Sequence, residues 1–134
     1  MSNRKHEDIS AEDIEWKEGA SPGIRYAAFL LDDSLDSSPL VTISTFEPGE
    51  VVAPHTHGAS YLEYVISGEQ QVGRKVFRAG DIRTAQSGVG YGPIRIGPQG
   101  CTVLIVFADA RGANMIPLGK DRHKAQVDGS QSEM

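Results

Sequence analysis

The chain has 134 residues, a net charge of -5 and one cysteine. That length is one domain able to bury its own core without disulfides. The acidic balance, with no long run of Lys or Arg, excludes an ordinary nucleic-acid binder. The lone Cys101 cannot form an intrachain disulfide, fits a reducing compartment and, ahead of Thr-Val-Leu-Ile-Val-Phe, reads as an inert buried thiol.

In chain order, residues 1–13 form a polar N-terminal segment without the apolar stretch of a signal peptide. The longest apolar run, Val103 to Ala108, is too short to span a bilayer. The expectation is a cytoplasmic protein with no membrane partner. Ile14 to Lys17 alternates like a short half-buried strand, and Ile24 to Leu31 reads as a second. After the polar loop 32–39, Leu40 to Phe46 alternates cleanly and is rich in β-branched residues. Pro48-Gly49 turns the chain into a strand over Val51 to His57. Tyr61 to Ser67 follows and ends at Gly68. Glu69 to Val72 and Lys75 to Arg78 pair as a hairpin, and Ala79-Gly80-Asp81 turns into Ile82 to Gln86. Tyr91 to Ile96 is a strand that tolerates a proline. Gly97-Pro98-Gln99-Gly100 is a turn, and Cys101 to Ala108 is the most strongly β-patterned segment.

Many short strands at spacings of about 8–12 residues signal a sandwich or barrel. The barrel is expected over 14–110, with a C-terminal extension over 111–134 that is largely mobile, although Ala113 to Leu118 can pack once against the barrel.

His55 and His57 stand two apart on a strand, so both imidazoles point to one face. Imidazole is the commonest metal ligand, and a pair is half a metal site. By the same period, Glu63 shares a face with Tyr61 and Val65. An inward Glu63 completes a two-His-one-carboxylate set, the arrangement suited to Fe(II) and oxygen chemistry. Gln71, Gln86 and an inward Arg83 are candidates for the cavity wall, Arg83 as a clamp on a carboxylate or enolate. His6 and His123 lie in polar ends and read as solvated, with His123 a third imidazole if the tail folds over the mouth.

Gly49-x5-His55-x-His57, with Gly68 eleven residues on, resembles the first motif of the cupins. Gly80-Asp81, Gly88 and position 91 resemble the second. The resemblance covers about residues 40–108 and implies an all-β fold, a double-stranded β-helix or jelly-roll barrel, with a metal in its mouth. His-Thr-His-Gly and the later Gly-Pro-Ile look most like the branch holding anti-sigma-factor zinc cupins and small diketone or hydroxyacetophenone dioxygenases. Two ligand positions depart from the pattern: Tyr61 stands where the family usually has Glu, and Tyr91 where it usually has His. Gln86 replaces the usual Pro.

The expected function is a small cupin enzyme with a divalent metal, Fe(II) first and zinc second, on His55, His57 and Glu63. Glu63 and Tyr91 are the expected catalytic groups, and Tyr61, Arg83 and Gln71 the expected substrate contacts. A small ketone, diketone or phenolic ketone is the substrate class, cleaved by O2, with isomerase or lyase chemistry as variants. The alternative is a barrel without metal or without catalysis that binds a small molecule or senses zinc. Edge-strand protection leads to the expectation of a homodimer.

Overall fold

The computed structural model describes residues 6–118 and a two-residue strand at 132–133. Its strands are β1 (Lys17–Glu18), β2 (Ile24–Leu30), β3 (Leu40–Phe46), β4 (Val51–Val52), β5 (His55–His57), β6 (Tyr61–Val72), β7 (Lys75–Arg78), β8 (Ile82–Ala85), β9 (Ile94–Phe107), β10 (Asn114–Pro117) and β11 (Ser132–Glu133). The larger sheet runs β1-β2-β3-β9-β6-β7, with β4 paired to β9 and β8 to β6. The smaller runs β11-β10-β5. The pairings between these strands are antiparallel. Among the described residues the only helical turns are the short 3-10 segments Ala11–Asp13 and Ala110–Ala113, and no helix is long and apolar enough to cross a membrane.

The alternation read in β3 is the alternation of burial: Leu40, Thr42 and Ser44 are buried. Register carries these residues across the sheet in rows. Leu40 pairs with Phe107 and Phe107 with Tyr61; Thr42 with Ile105 and Ile105 with Glu63; Ser44 with Val103 and Val103 with Val65. Phe107, Val103 and Val65 form the tightest part of the core. Burying each such side chain contributes about 1.5–3 kcal/mol. The same rows carry Thr42, Ser44 and Glu63 inward, so the barrel interior is polar on part of one wall.

Two strands run further than the sequence pattern suggests. β6 does not stop at Gly68, and β9 runs straight through Gly97-Pro98-Gln99-Gly100 instead of turning there. The two strands stay paired from Tyr61↔Phe107 to Val72↔Ile94, at the cost of register shifts near Ser67 and Gly68. Glycine makes this possible: Gly68 has φ 77° and Gly100 φ 78°. A side chain on Gly68 would also collide with the carbonyl of Gly100.

The irregularity reverses which residues point inward. Tyr61, Glu63 and Val65 are buried before it, and Gln70 after it, while Gln71 is exposed. The expected strand over 51–57 is likewise broken at Ala53-Pro54. β4 pairs with β9, and after the proline β5 pairs with β10 of the other sheet.

The segment after residue 110 does pack against the barrel. β10 lies antiparallel on β5, with Met115 opposite His57 and Pro117 opposite His55. The histidine strand is thereby covered, and His55, Thr56 and His57 are all buried. His123 and most of the extension expected to be mobile lie outside the described residues.

Candidate functional site

His55 and His57 line one cavity, together with Ser44, Glu63, Gln70, Arg83 and Tyr91 and the apolar walls Ile24, Phe46, Ile94, Ile105 and Met115. The cavity has about 50 Å³ open to the centre of a water molecule, room for several waters or one small ligand. The two imidazoles meet edge to face at 5.0 Å between centroids.

Backbone carbonyls fix both tautomers. His55 Nδ1 lies 2.9 Å from the Ala53 carbonyl and His57 Nδ1 lies 2.8 Å from the Gly112 carbonyl. A carbonyl only accepts, so each Nδ1 carries the proton and each Nε2 of the neutral ring is a lone pair. Burial, first of all, lowers both pKa values. That of His57 falls to about 4, helped by His55 and Arg83 against the Gly112 bond, and His55 is lowered with a further push from Arg83. Both rings are therefore neutral at physiological pH.

His55 Nε2 is already used. Tyr91 and His55 exchange two backbone hydrogen bonds, which set the Tyr91 ring against His55, and the Tyr91 hydroxyl lies 3.0 Å from Nε2. Since Nε2 can only accept, Tyr91 donates. The Tyr61 oxygen accepts from Arg83 Nη1 at 3.0 Å. Tyr91, His55 and Ala53 thus form one directed chain, and Arg83 donates separately to Tyr61. Burial raises the pKa of both phenols, so both stay protonated.

His57 Nε2, by contrast, has no hydrogen-bond partner among the described residues.

Glu63 faces inward, as the period-2 pattern requires, but it does not join the histidines. One of its oxygens accepts from Arg83 Nη2 in a buried ion pair, and the other accepts from Gln70 Nε2 at 2.8 Å. Burial depresses the guanidinium pKa, and Glu63, Tyr61 and Tyr91 together more than offset it, so Arg83 is firmly cationic. Arg83 lies over the Tyr91 ring at 4.3 Å.

Glu63, expected as the third ligand, is here engaged by Arg83 and Gln70. No group of three or more His, Cys, Asp or Glu able to hold a metal occurs among the described residues. The cavity offers two imidazoles, one of them engaged, two protonated phenols and a guanidinium whose charge repels a cation. This donor set does not fit the divalent metal that the cupin resemblance implies.

Arg83 and Tyr61 come together as expected. Gln71 does not reach the cavity: it is exposed, and its side chain donates to the Gly73 carbonyl. The inward glutamine is Gln70, one residue earlier, because the Gly68 irregularity shifts the alternation. Gln86 and His6 are exposed. Sequence reasoning also passed over Ser44 and the Gly112 carbonyl. Ser44 is 1% exposed, lines the cavity, and its Oγ has no partner, as is true of Arg83 Nε. Its inward position was available from the alternation of β3. The Gly112 contact was not, since 55 residues separate it from His57.

Comparison with known proteins agrees with this architecture. The sequence pattern of the ChrR cupin-like domain family matches residues 4–110. The Rhodobacter sphaeroides anti-sigma ChrR, solved with SigE, superposes with a TM-score of 0.60 at 21% identity, over 73% of this chain and 51% of that one. The chain thus spans about half of that structure. An RmlC-like cupin from Shewanella frigidimarina gives 0.64 at 25% identity, over 79% and 94%. A putative acetylacetone dioxygenase from Methylibium petroleiphilum gives 0.65 at 16% identity, over 90% and 86%. The fold is therefore the all-β barrel of RmlC-like cupins. No curated protein sequence is detectably similar to the chain.

Proposed function

This chain belongs to the ChrR cupin-like domain family, and on that footing we propose that its barrel binds a small carbonyl compound without a divalent metal at the family's usual four-ligand position. One observation carries the reading: Glu63 is taken by Arg83 and Gln70. The cation of this cavity is the guanidinium.

The open polar groups describe the ligand. His57 Nε2 accepts, while Arg83 Nε–H and Ser44 Oγ are enclosed in the wall without a partner. The Arg83–Glu63 pair leaves the cavity without net charge. A small molecule with an apolar body, one oxygen acceptor and one acidic hydrogen meets these groups without leaving a buried charge unpaired. Small ketones, 2-hydroxy ketones and diketones have that character.

The metal-dependent oxygenase remains a second reading, favoured by the two deprotonated Nε2 atoms in one cavity. Metal content decides between them. Untagged protein made anaerobically with supplied Fe(II) is expected to hold far less than one equivalent of any transition metal. One equivalent, lost in His55→Ala/His57→Ala, sinks the metal-free reading.

A further inference from the structure

We propose that Met115 is the specificity-determining residue of the cavity. A strap across the histidine strand carries it in, and its thioether side chain limits the ligand to short aliphatic ketones and diketones. This rests on the carbonyl-binding reading and adds the size of ligand that the site accepts.

The strap is residues 110–118, and it begins where the family pattern ends. That pattern matches residues 4–110, and of the residues lining the cavity Met115 alone lies beyond it. The barrel is shaped to receive this segment. The Gly58 N–H donates to the Asn114 carbonyl at 3.2 Å, and the Leu118 N–H donates to the Pro54 carbonyl at 3.1 Å. Between them the Gly112 carbonyl accepts from His57 Nδ1. Only glycine fits where strap and barrel touch most closely. A Cβ on Gly58 would lie 2.7 Å from the Arg111 carbonyl oxygen, and one on Gly112 would lie 2.1 Å from the Phe107 ring.

The register then aims the side chain. With Gly58 bonded to Asn114, the next pair along, His57 and Met115, is a non-hydrogen-bonded pair. Side chains of such a pair stand closest together on one face of a sheet. Met115 therefore projects beside His57 into the cavity. The other apolar walls are held by the core: Ile24, Val52, Ile94 and Ile105 belong to its buried cluster, where a side chain moves only if its neighbours do. Met115 is half-buried and outside that cluster. An unbranched thioether fills irregular space and adapts to what it touches. The open volume of about 50 Å³ is what remains with Met115 in place. A short alkyl end fits there by displacing water, while an aryl group needs the space that the thioether occupies.

The test is calorimetric titration of the full chain in EDTA with acetylacetone and with benzoylacetone, in which a phenyl ring replaces one methyl group. Wild type is expected to bind acetylacetone more tightly. Met115→Ala deletes the thioether and is expected to shift the affinity ratio toward benzoylacetone by at least about tenfold. Met115→Val, whose branched side chain suits a strand, serves if the first variant misfolds, with melting checked for both. Met115→Leu conserves volume and is expected to keep the wild-type order. Wild type that prefers benzoylacetone, or a ratio that the smaller side chains leave unchanged while binding persists, overturns this inference alone. Binding of neither diketone by wild type or variants overturns the carbonyl-binding reading and this inference together.

Discussion

The pH dependence of stability offers a test of the buried imidazole that needs no ligand. His57 has a pKa of about 4 in the fold and an unfolded reference of 6.5. Above pH 6.5 neither state is protonated there, and the group contributes no pH dependence. As pH falls from 6.5 toward 4, the unfolded chain takes up a proton that the folded chain does not, so folding is progressively disfavoured. At about 1.36 kcal/mol per pH unit the complete loss is about 3 kcal/mol, of which about 2.5 kcal/mol falls between about pH 7.5 and 4.5. His57→Gln removes this proton uptake. It also removes the bond to Gly112, at a cost of about 1–2 kcal/mol. The variant is therefore expected to be less stable than wild type near neutrality and equal or better near pH 4.5. Urea unfolding with EDTA across this range measures both curves. The carboxylates are common to both proteins and cancel in the difference. His55, also lowered by burial, leaves a residual slope that the double variant removes. Parallel curves for wild type and variant would refute a buried neutral His57.

The ion pair predicts a specific asymmetry. Arg83→Met strands the buried Glu63 and is expected to cost about 3–5 kcal/mol in urea unfolding, while adding Glu63→Leu recovers most of it; equal costs for single and double variants refute the coupling. Tyr91→Phe deletes the hydroxyl that donates to His55 Nε2. It is expected to cost about 1 kcal/mol and to shift the His55 Nε2 signal in nitrogen NMR while His57 stays put. Leu62, Tyr64, Ile66, Ile82 and Val106 are exposed, and register sets Leu62 beside Val106 and Tyr64 beside Ile82. Light scattering is expected to give twice the 14.4 kDa chain mass, and Tyr64→Glu/Ile82→Glu to give a monomer.

The shared face of His55 and His57 was legible in the sequence, and their hydrogen-bond partners were not. His55 and His57 share a face because β5 obeys the period of two, and Glu63 faces inward by the same rule. Those are local consequences of backbone geometry, and β-branched alternation in β3 and β9 announces the strands themselves. What failed is everything set by a long-range partner. Glu63 reads as a ligand until Arg83, 20 residues on, is found bonded to it. The choice of which histidine keeps an open lone pair depends on Ala53, Tyr91 and Gly112, three contacts from three segments.

Gln71 shows the boundary most clearly. Counting by twos from Tyr61 places it inside, and the count is correct as far as Val65. Register shifts on either side of Gly68, which leave out Ile66 and Glu69, then keep β6 paired with β9. A glycine after an alternating run signals a strand end or an irregular continuation equally well, because both need a positive φ. The choice between them belongs to the partner strand, where Gly100 supplies the matching conformation. Had Gly68 ended the strand, Gln70 would not stand behind Glu63, and one carboxylate oxygen would be open to the cavity. The irregularity at Gly68 therefore contributes directly to the electrostatics. It brings the amide that, with Arg83, engages both oxygens of the carboxylate.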